Sequence, residues 1–219
     1  MKSLVFDVDG TILDSMPMWL DLENNLLEKY GYNMDSLDKD VRDTIESLSI
    51  EGMSKYISNT IAKDMTFEEV YHYFRSSIDY KYSNEVEAKE GAIEIIKNLY
   101  DEGVQLSVAS SSSSDCIIKA FKRMGIYDYF SLIATADNTG LKKSQIEFWT
   151  MLARKLERDP SQIILYDDAL YAIKMAKKVG IEVVGIKDFP WNETDWEEIV
   201  SICSYTLDKV SDIRLDQLI

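Results

Sequence analysis

Asp7 and Asp9, two carboxylates at i and i+2 followed at once by Gly10 and Thr11, are the residues of this chain best placed to do chemistry. They stand at the carboxyl end of a short apolar run, Leu4 to Phe6, that reads as a buried strand. Carboxylates released from a strand end into a glycine turn can hold a divalent cation, or one can attack an electrophile beside it; a solvated acidic turn uses the same residues and does neither. Three later places offer partners. The expected strand Gln105–Ala109 runs into five serines, Ser110 to Ser114. Lys142 and Lys143 precede a helix around Phe148–Leu156, and the expected strand Ile163–Tyr166 delivers Asp167 and Asp168. Each has a plain alternative as a polar loop, a solvated charge or a helix N-cap. A parallel sheet, however, puts all its carboxyl ends on one edge, where these residues can converge.

Their types then suit phosphoryl transfer. One carboxylate can take the group as an aspartyl-phosphate, while Mg²⁺ on oxygen ligands neutralises phosphate charge and the repulsion among the carboxylates. Hydroxyl and main-chain N–H groups at Ser110 and Ser111, leading into a helix N-terminus, suit phosphate oxygens. A lysine ammonium supplies the positive charge that the transition state requires.

The elements that must position these groups follow from periodicity. Beyond Met16-Pro17 the pattern is helical for about seventy residues: Trp19, Leu22, Leu26 and Tyr30, then Leu37, Val41, Ile45 and Leu48, then Met53, Ile57 and Ile61. A fourth helix opens with a capping box, Thr66 and Glu69, and carries Val70, Phe74 and Ile78 on one face. From Glu90-Gly91 onward short apolar strands alternate with helices that stop at glycines, the rhythm of βαβ units. Further strands are expected at Leu132–Ala136 and Val183–Ile186, with an edge strand at Tyr205–Leu207, and a late helix is expected to start from a capping box of Thr194 and Glu197. The predicted architecture is α/β: a doubly wound, Rossmann-like parallel sheet core, residues 1–14 and 88–219, with an all-α helical-bundle cap inserted at 15–87. The two crossings, Ser15–Pro17 and Asn84–Glu90, would hinge that insert as a lid.

Bulk properties exclude other classes. The 219 residues are 46% hydrophobic and 11% aromatic, enough for a sizeable core. With 39 acidic against 24 basic residues the net charge is −15, so nucleic acid and anionic membrane are not expected partners. No apolar stretch approaches a bilayer span and the start enters a strand directly, so a cytoplasmic location is expected. Cys116 and Cys203 are too few for a disulfide framework or a thiolate zinc site, and His72 is the sole histidine. Carboxylates must therefore carry any catalysis.

The segment Phe6-Asp7-Val8-Asp9-Gly10-Thr11-Ile12-Leu13-Asp14-Ser15 resembles the first motif of the haloacid dehalogenase-like hydrolases, in particular their β-phosphoglucomutase-like branch with a helical cap. Val108-Ala109-Ser110-Ser111 is similar to the second motif, Lys143 to the third-motif lysine, with Lys142 a competing candidate, and Leu165-Tyr166-Asp167-Asp168 to the fourth. The resemblance implies Asp7 as nucleophile, Asp9 as general acid and base, and Ser110, Ser111 and Lys143 on the phosphate. It implies Mg²⁺ on the Asp7 carboxylate, the Asp9 main-chain carbonyl and Asp168, with Asp167 reaching it through water. Departures are Lys143-Ser144-Gln145-Ile146-Glu147, where relatives often carry Pro-x-Pro-Asp, and Ala169 and Ala172, where relatives carry Ser and Gly. Met16-Pro17-Met18-Trp19 lacks the cap histidine of the mutases. The expected function is a Mg²⁺-dependent phosphatase of a small phosphorylated metabolite, a sugar or polyol phosphate, acting as a monomer. The alternatives are a β-phosphoglucomutase-like phosphomutase and, from another class, a non-catalytic phosphate-binding or signalling protein.

Overall fold

A computed structural model of the chain describes residues 2–215, apart from the side chains of Asp43, Glu46 and Ser47. Met1 and residues 216–219, the outermost parts of the expected core segments, lie outside the described residues. The chain divides into two compact units, Met1–Ser15 with Val86–Ile219, and Met16–Glu85.

The larger unit is built on six parallel strands among the described residues: β1 (Ser3–Phe6), β2 (Leu106–Ser110), β3 (Phe130–Thr135), β4 (Ile163–Asp167), β5 (Glu182–Ile186) and β6 (Tyr205–Leu207). Their order across the sheet is β3-β2-β1-β4-β5-β6, so the chain leaves β1 first to one side and then to the other. That reversal beside β1 makes its carboxyl end the natural ligand crevice of the sheet. β1, β2 and β4 are buried along their whole length, as strands covered on both faces must be, and they are largely apolar for that reason, with Ser107 a polar residue inside β2. Phe6 lies level with Val108 on β2 and Tyr166 on β4, and its ring stacks on that of Tyr166 at 5.2 Å.

Helices cover the sheet: α5 (Ala92–Asp101), α6 (Ser114–Met124), the single turn α7 (Ala136–Thr139), α8 (Ile146–Lys155), α9 (Leu170–Lys178) and α10 (Trp196–Ile202), in the numbering that leaves α1 to α4 for the other unit. Val5, Leu165 and Val183 pack with Phe148, Trp149 and Leu152 of α8 and Ala172, Ile173 and Ala176 of α9 in one apolar cluster. Gly185 lets α10 approach β5, because a Cβ there would meet Ile199 Cγ2 at 2.4 Å. The two chain crossings pair with each other: Leu13 bridges Ala88 in antiparallel fashion, and Asp14 N donates to Glu87 O at 2.9 Å.

The smaller unit holds α1 (Met16–Leu27), α2 (Lys39–Ser47), α3 (Ile50–Thr60) and α4 (Phe67–Asn84). Apolar positions at helical spacing bury Leu22 and Leu26, Met53 and Ile57, and Val70, Phe74 and Ile78, and α3 packs on α4. Thr66 and Glu69 form the expected capping box, with Thr66 N donating to Glu69 Oε2 at 2.8 Å and Glu69 N donating to Thr66 Oγ1 at 3.2 Å. His72 is exposed on α4.

The bounds of the late helix and of β3 are corrected. The late helix does not start from a Thr194–Glu197 box; its N-cap is Asp195 and it begins at Trp196. Residues 188–195 instead fold into turns, with Asp195 N donating to Asn192 O and Trp196 N to Glu193 O, which consumes the main chain around Thr194. Strand β3 starts at Phe130, not Leu132, because Phe130 pairs with Leu106 and stacks on Phe121. It ends at Thr135, whose main-chain N and side chain cap α7 through Asn138.

Candidate active site

β1 stops where its apolar run stops, and Asp7 N still donates to Tyr166 O at 2.9 Å, which seats Asp7 beside the end of β4. Asp167 closes β4, its Oδ1 accepting from Ala169 N at 2.9 Å, and Asp168 follows; neither is the N-cap of α9, a place taken by Ala169. Ligand oxygens of Asp7, Asp167 and Asp168 lie within 4.8 Å of one another, all three residues buried. Thr11 Oγ1 donates to Asp168 Oδ1 at 2.9 Å and holds the turn against it.

Lys143 enters this cluster from the loop between α7 and α8. Its Nζ lies 2.5 Å from Asp7 Oδ1 and 2.7 Å from Asp167 Oδ2, while Lys142 is exposed, so Lys143 is the lysine that the fold turns inward. Trp149, wholly buried on α8, fixes the loop by donating from Nε1 to Lys143 O at 2.8 Å. Burial by itself would lower the Lys143 ammonium, but Asp167 and Asp7 outweigh it and hold the group well above its ordinary value.

Ser110 ends β2 buried, and its Oγ accepts from Ser112 N at 3.0 Å, which winds the serine loop toward α6. Ser111 Oγ lies 2.8 Å from the hydroxyl of Tyr171 on α9. Asp9 stands apart from the three clustered carboxylates because its side chain is held elsewhere: Ser15 Oγ donates to its Oδ1 and Ser112 Oγ to its Oδ2, each at 2.6 Å. Asp7, Asp9, Ser110, Ser111, Lys143, Asp167 and Asp168 thus all come to one edge of the sheet.

The electrostatics fit a hard divalent cation. Burial, with repulsion from Asp167 and Asp9, pushes the Asp7 carboxyl up to about 7 although Lys143 pulls it down. Asp168 is driven well above the usual carboxylate range by burial and by Asp7, Asp167 and Asp188. One ammonium therefore does not keep all three carboxyls ionised, a divalent cation would, and an all-oxygen donor set is what Mg²⁺ takes. Gly10, at φ 83°, keeps the space beside it clear: a Cβ there would meet Asp168 Oδ2 at 2.6 Å and Asp188 Oδ2 at 2.7 Å.

The residues not anticipated from sequence are Ser15, Ser112, Tyr171, Asp188 and Asn192. Asp188 carried a usable signal, since it lies just past the end of a strand as Asp168 does; Ser112 carried none that set it apart within the run of serines.

Fold and site define a doubly wound α/β protein with an acidic, lysine-bearing strand-edge centre. The chain belongs to the haloacid dehalogenase-like hydrolases, whose family model matches residues 4–186. It is similar to a phosphorylated carbohydrates phosphatase of Thermotoga maritima, 22% identical over 83% of this chain and 83% of the relative. It is also similar to a phosphoglycolate phosphatase of Neisseria meningitidis, 25% identical over 85% and 80%. Among solved structures, a β-phosphoglucomutase candidate from Thermotoga maritima superposes with a TM-score of 0.72 over 97% of this chain and 96% of that one at 17% identity, a likeness of fold.

Proposed function

We propose that this chain is a Mg²⁺-dependent phosphatase of a small phosphorylated metabolite, a sugar or polyol phosphate, working through an aspartyl-phosphate on Asp7. Its family is one of hydrolases, and relatives that are phosphatases support a phosphoric monoester as the bond it breaks. The observation that carries the reading is the buried ion pairing of Lys143 with Asp7 and Asp167, at the strand edge that also bears Ser110 and Asp168.

An Asp7 oxygen attacks phosphorus and the bond to the leaving oxygen breaks, while Asp9 gives that oxygen its proton. Asp9 then takes a proton from the water that attacks the Asp7-phosphate. The bond between phosphorus and Asp7 breaks, and inorganic phosphate leaves. Ser15 and Ser112 keep the Asp9 carboxyl aimed through both steps. Lys143, Ser110 and Ser111 bind the phosphoryl oxygens, where charge is densest in the transition state. Mg²⁺, held by Asp7, Asp168 and the Asp9 main-chain carbonyl with Asp167 through water, would offset the charge of phosphate and carboxylates together.

The helical unit is assigned the role of cap and the choice among substrates. The protein is taken as a cytoplasmic monomer without nucleic-acid or membrane partners; the net charge of −15 supports the absence of nucleic-acid and anionic-membrane partners, and among the described residues no helix is long and apolar enough to cross a membrane. The test is hydrolysis of p-nitrophenyl phosphate with Mg²⁺, followed by a panel of sugar and polyol phosphates. Asp7→Asn abolishes turnover; activity near that of the unaltered chain would sink the nucleophile assignment.

A further inference from the structure

Asp188 takes no part in the chemistry above, yet the fold goes to some length to bury it at the same edge. It lies two residues past β5 at 4% exposure. Its main-chain N donates to Asn192 Oδ1 at 3.0 Å, and Asn192 Nδ2 donates onward to Asp168 O at 3.1 Å and Ile186 O at 2.9 Å. One buried amide therefore ties the loop carrying Asp188 to the main chain of Asp168. The Asp188 carboxylate is used asymmetrically. Lys89 Nζ donates to its Oδ1 at 2.5 Å, but its Oδ2 is buried without a hydrogen-bond partner.

That free oxygen and Asp168 Oδ2 border the same small space over Gly10, being the two oxygens that a Gly10 side chain would strike. A buried carboxylate oxygen is costly to leave unmet. Asp188 is not one of the three residues whose ligand oxygens lie mutually within 4.8 Å, so it is not placed to join them as a direct ligand. Mg²⁺ usually keeps several waters, and carboxylates behind a metal site commonly accept from such waters.

We infer that Asp188 is a positioning residue for the cation held by Asp7 and Asp168, its free Oδ2 accepting a hydrogen bond from the cation's hydration shell. This rests on the cation reading given above. Asn192 fixes the loop that carries the carboxylate, Lys89 occupies only its far oxygen and leaves Oδ2 free, and the missing side chain of Gly10 leaves room for water.

The experiment is isothermal titration of MgCl₂ into the full chain and into Asp168→Asn, Asp188→Asn and Lys89→Met, with no substrate present. Asp168→Asn loses Mg²⁺ binding. Asp188→Asn weakens the Mg²⁺ Kd by about tenfold or more, the usual effect of removing such a partner. Lys89→Met does not weaken it, because the ammonium meets Asp188 only at the other oxygen, with Asp14 its second partner at 3.9 Å, and itself repels a cation. An unchanged Kd in Asp188→Asn overturns the inference and leaves the phosphatase reading standing. Equal weakening in Lys89→Met overturns it too, since Asp188 would then matter only as a structural ion pair. Failure of the unaltered chain to bind Mg²⁺ overturns both readings. Should Asp188→Asn not fold, the double variant Asp188→Asn with Lys89→Met, which removes the orphaned ammonium, carries the same expectation.

Discussion

Lys143 places one positive charge between two buried carboxylates, Asp7 and Asp167, and serves stability and chemistry at once. Removing one member of a buried ion pair leaves the rest uncompensated, so Lys143→Ala is expected to lower unfolding stability by about 3–5 kcal/mol, read by urea denaturation. In the same variant turnover of p-nitrophenyl phosphate falls by about 10²–10³-fold, the usual loss when a preorganised charge-stabilising group is removed. Ser112 acts more gently. It donates to Asp9 Oδ2 at 2.6 Å, a bond to a charged acceptor worth about 1.5 kcal/mol, so Ser112→Ala lowers kcat by about tenfold and leaves KM nearly unchanged in steady-state kinetics. A matching loss in KM alone would instead place Ser112 on the substrate.

At the scale of elements, the serine loop is held from the side by α7. Asp137 accepts from Ser114 N at 3.2 Å and from Ser114 Oγ at 2.6 Å, which caps the N-terminus of α6 with a carboxylate from another element. Burial opposes ionisation of Asp137, but hydrogen bonds from Ser114 and Thr135 together outweigh it and hold the carboxyl below its usual range. A folded value below the unfolded one means a contribution present above the ordinary carboxylate value and lost as pH falls through the folded one. Asp137→Ala is therefore expected to cost about 1 kcal/mol at pH 7, solvent screening keeping it modest at this exposed site. The gap between the two proteins should close as pH drops below about 3.9, checked by thermal melts across that range. Most element types were legible, because alternation of short apolar strands with glycine-stopped helices is a local signal, whereas the single turn α7 was not anticipated and its Ala136 reads as strand. The start of α10 was not, because the turns around Asn192 answer to Asp168 and Ile186 and not to their neighbours in sequence.

For the whole molecule, the carboxyl ends of β1, β2, β4 and β5 assemble one acidic centre from residues spread over most of the chain, and the burial and mutual repulsion of its carboxylates oppose their ionisation, a cost that the proposed cation would offset. Addition of Mg²⁺ to chelator-treated protein should raise the melting temperature, by about 2.7 kcal/mol of stability at a hundredfold excess over Kd, while EDTA should remove activity and Mg²⁺ restore it. Absence of any Mg²⁺-dependent shift in scanning calorimetry would count against the cation. The sequence by itself determined which residues stand at strand ends, Asp7 and Asp9, Ser110, and Asp167 and Asp168, because hydrophobic periodicity and turn chemistry act over a few residues. It favoured Lys143 with Lys142 still a competing candidate, and it gave Asp188 and Ser112 no partner. Only the tertiary structure decided those: the Trp149 anchor turns Lys143 inward, strand order brings the end of β5 beside the end of β4, and the serine loop closes on Asp9. The physical reason is range. Propensity and pattern are settled between neighbours, whereas the pairing of charges across more than a hundred residues is settled by how strands order themselves and where loops are pinned.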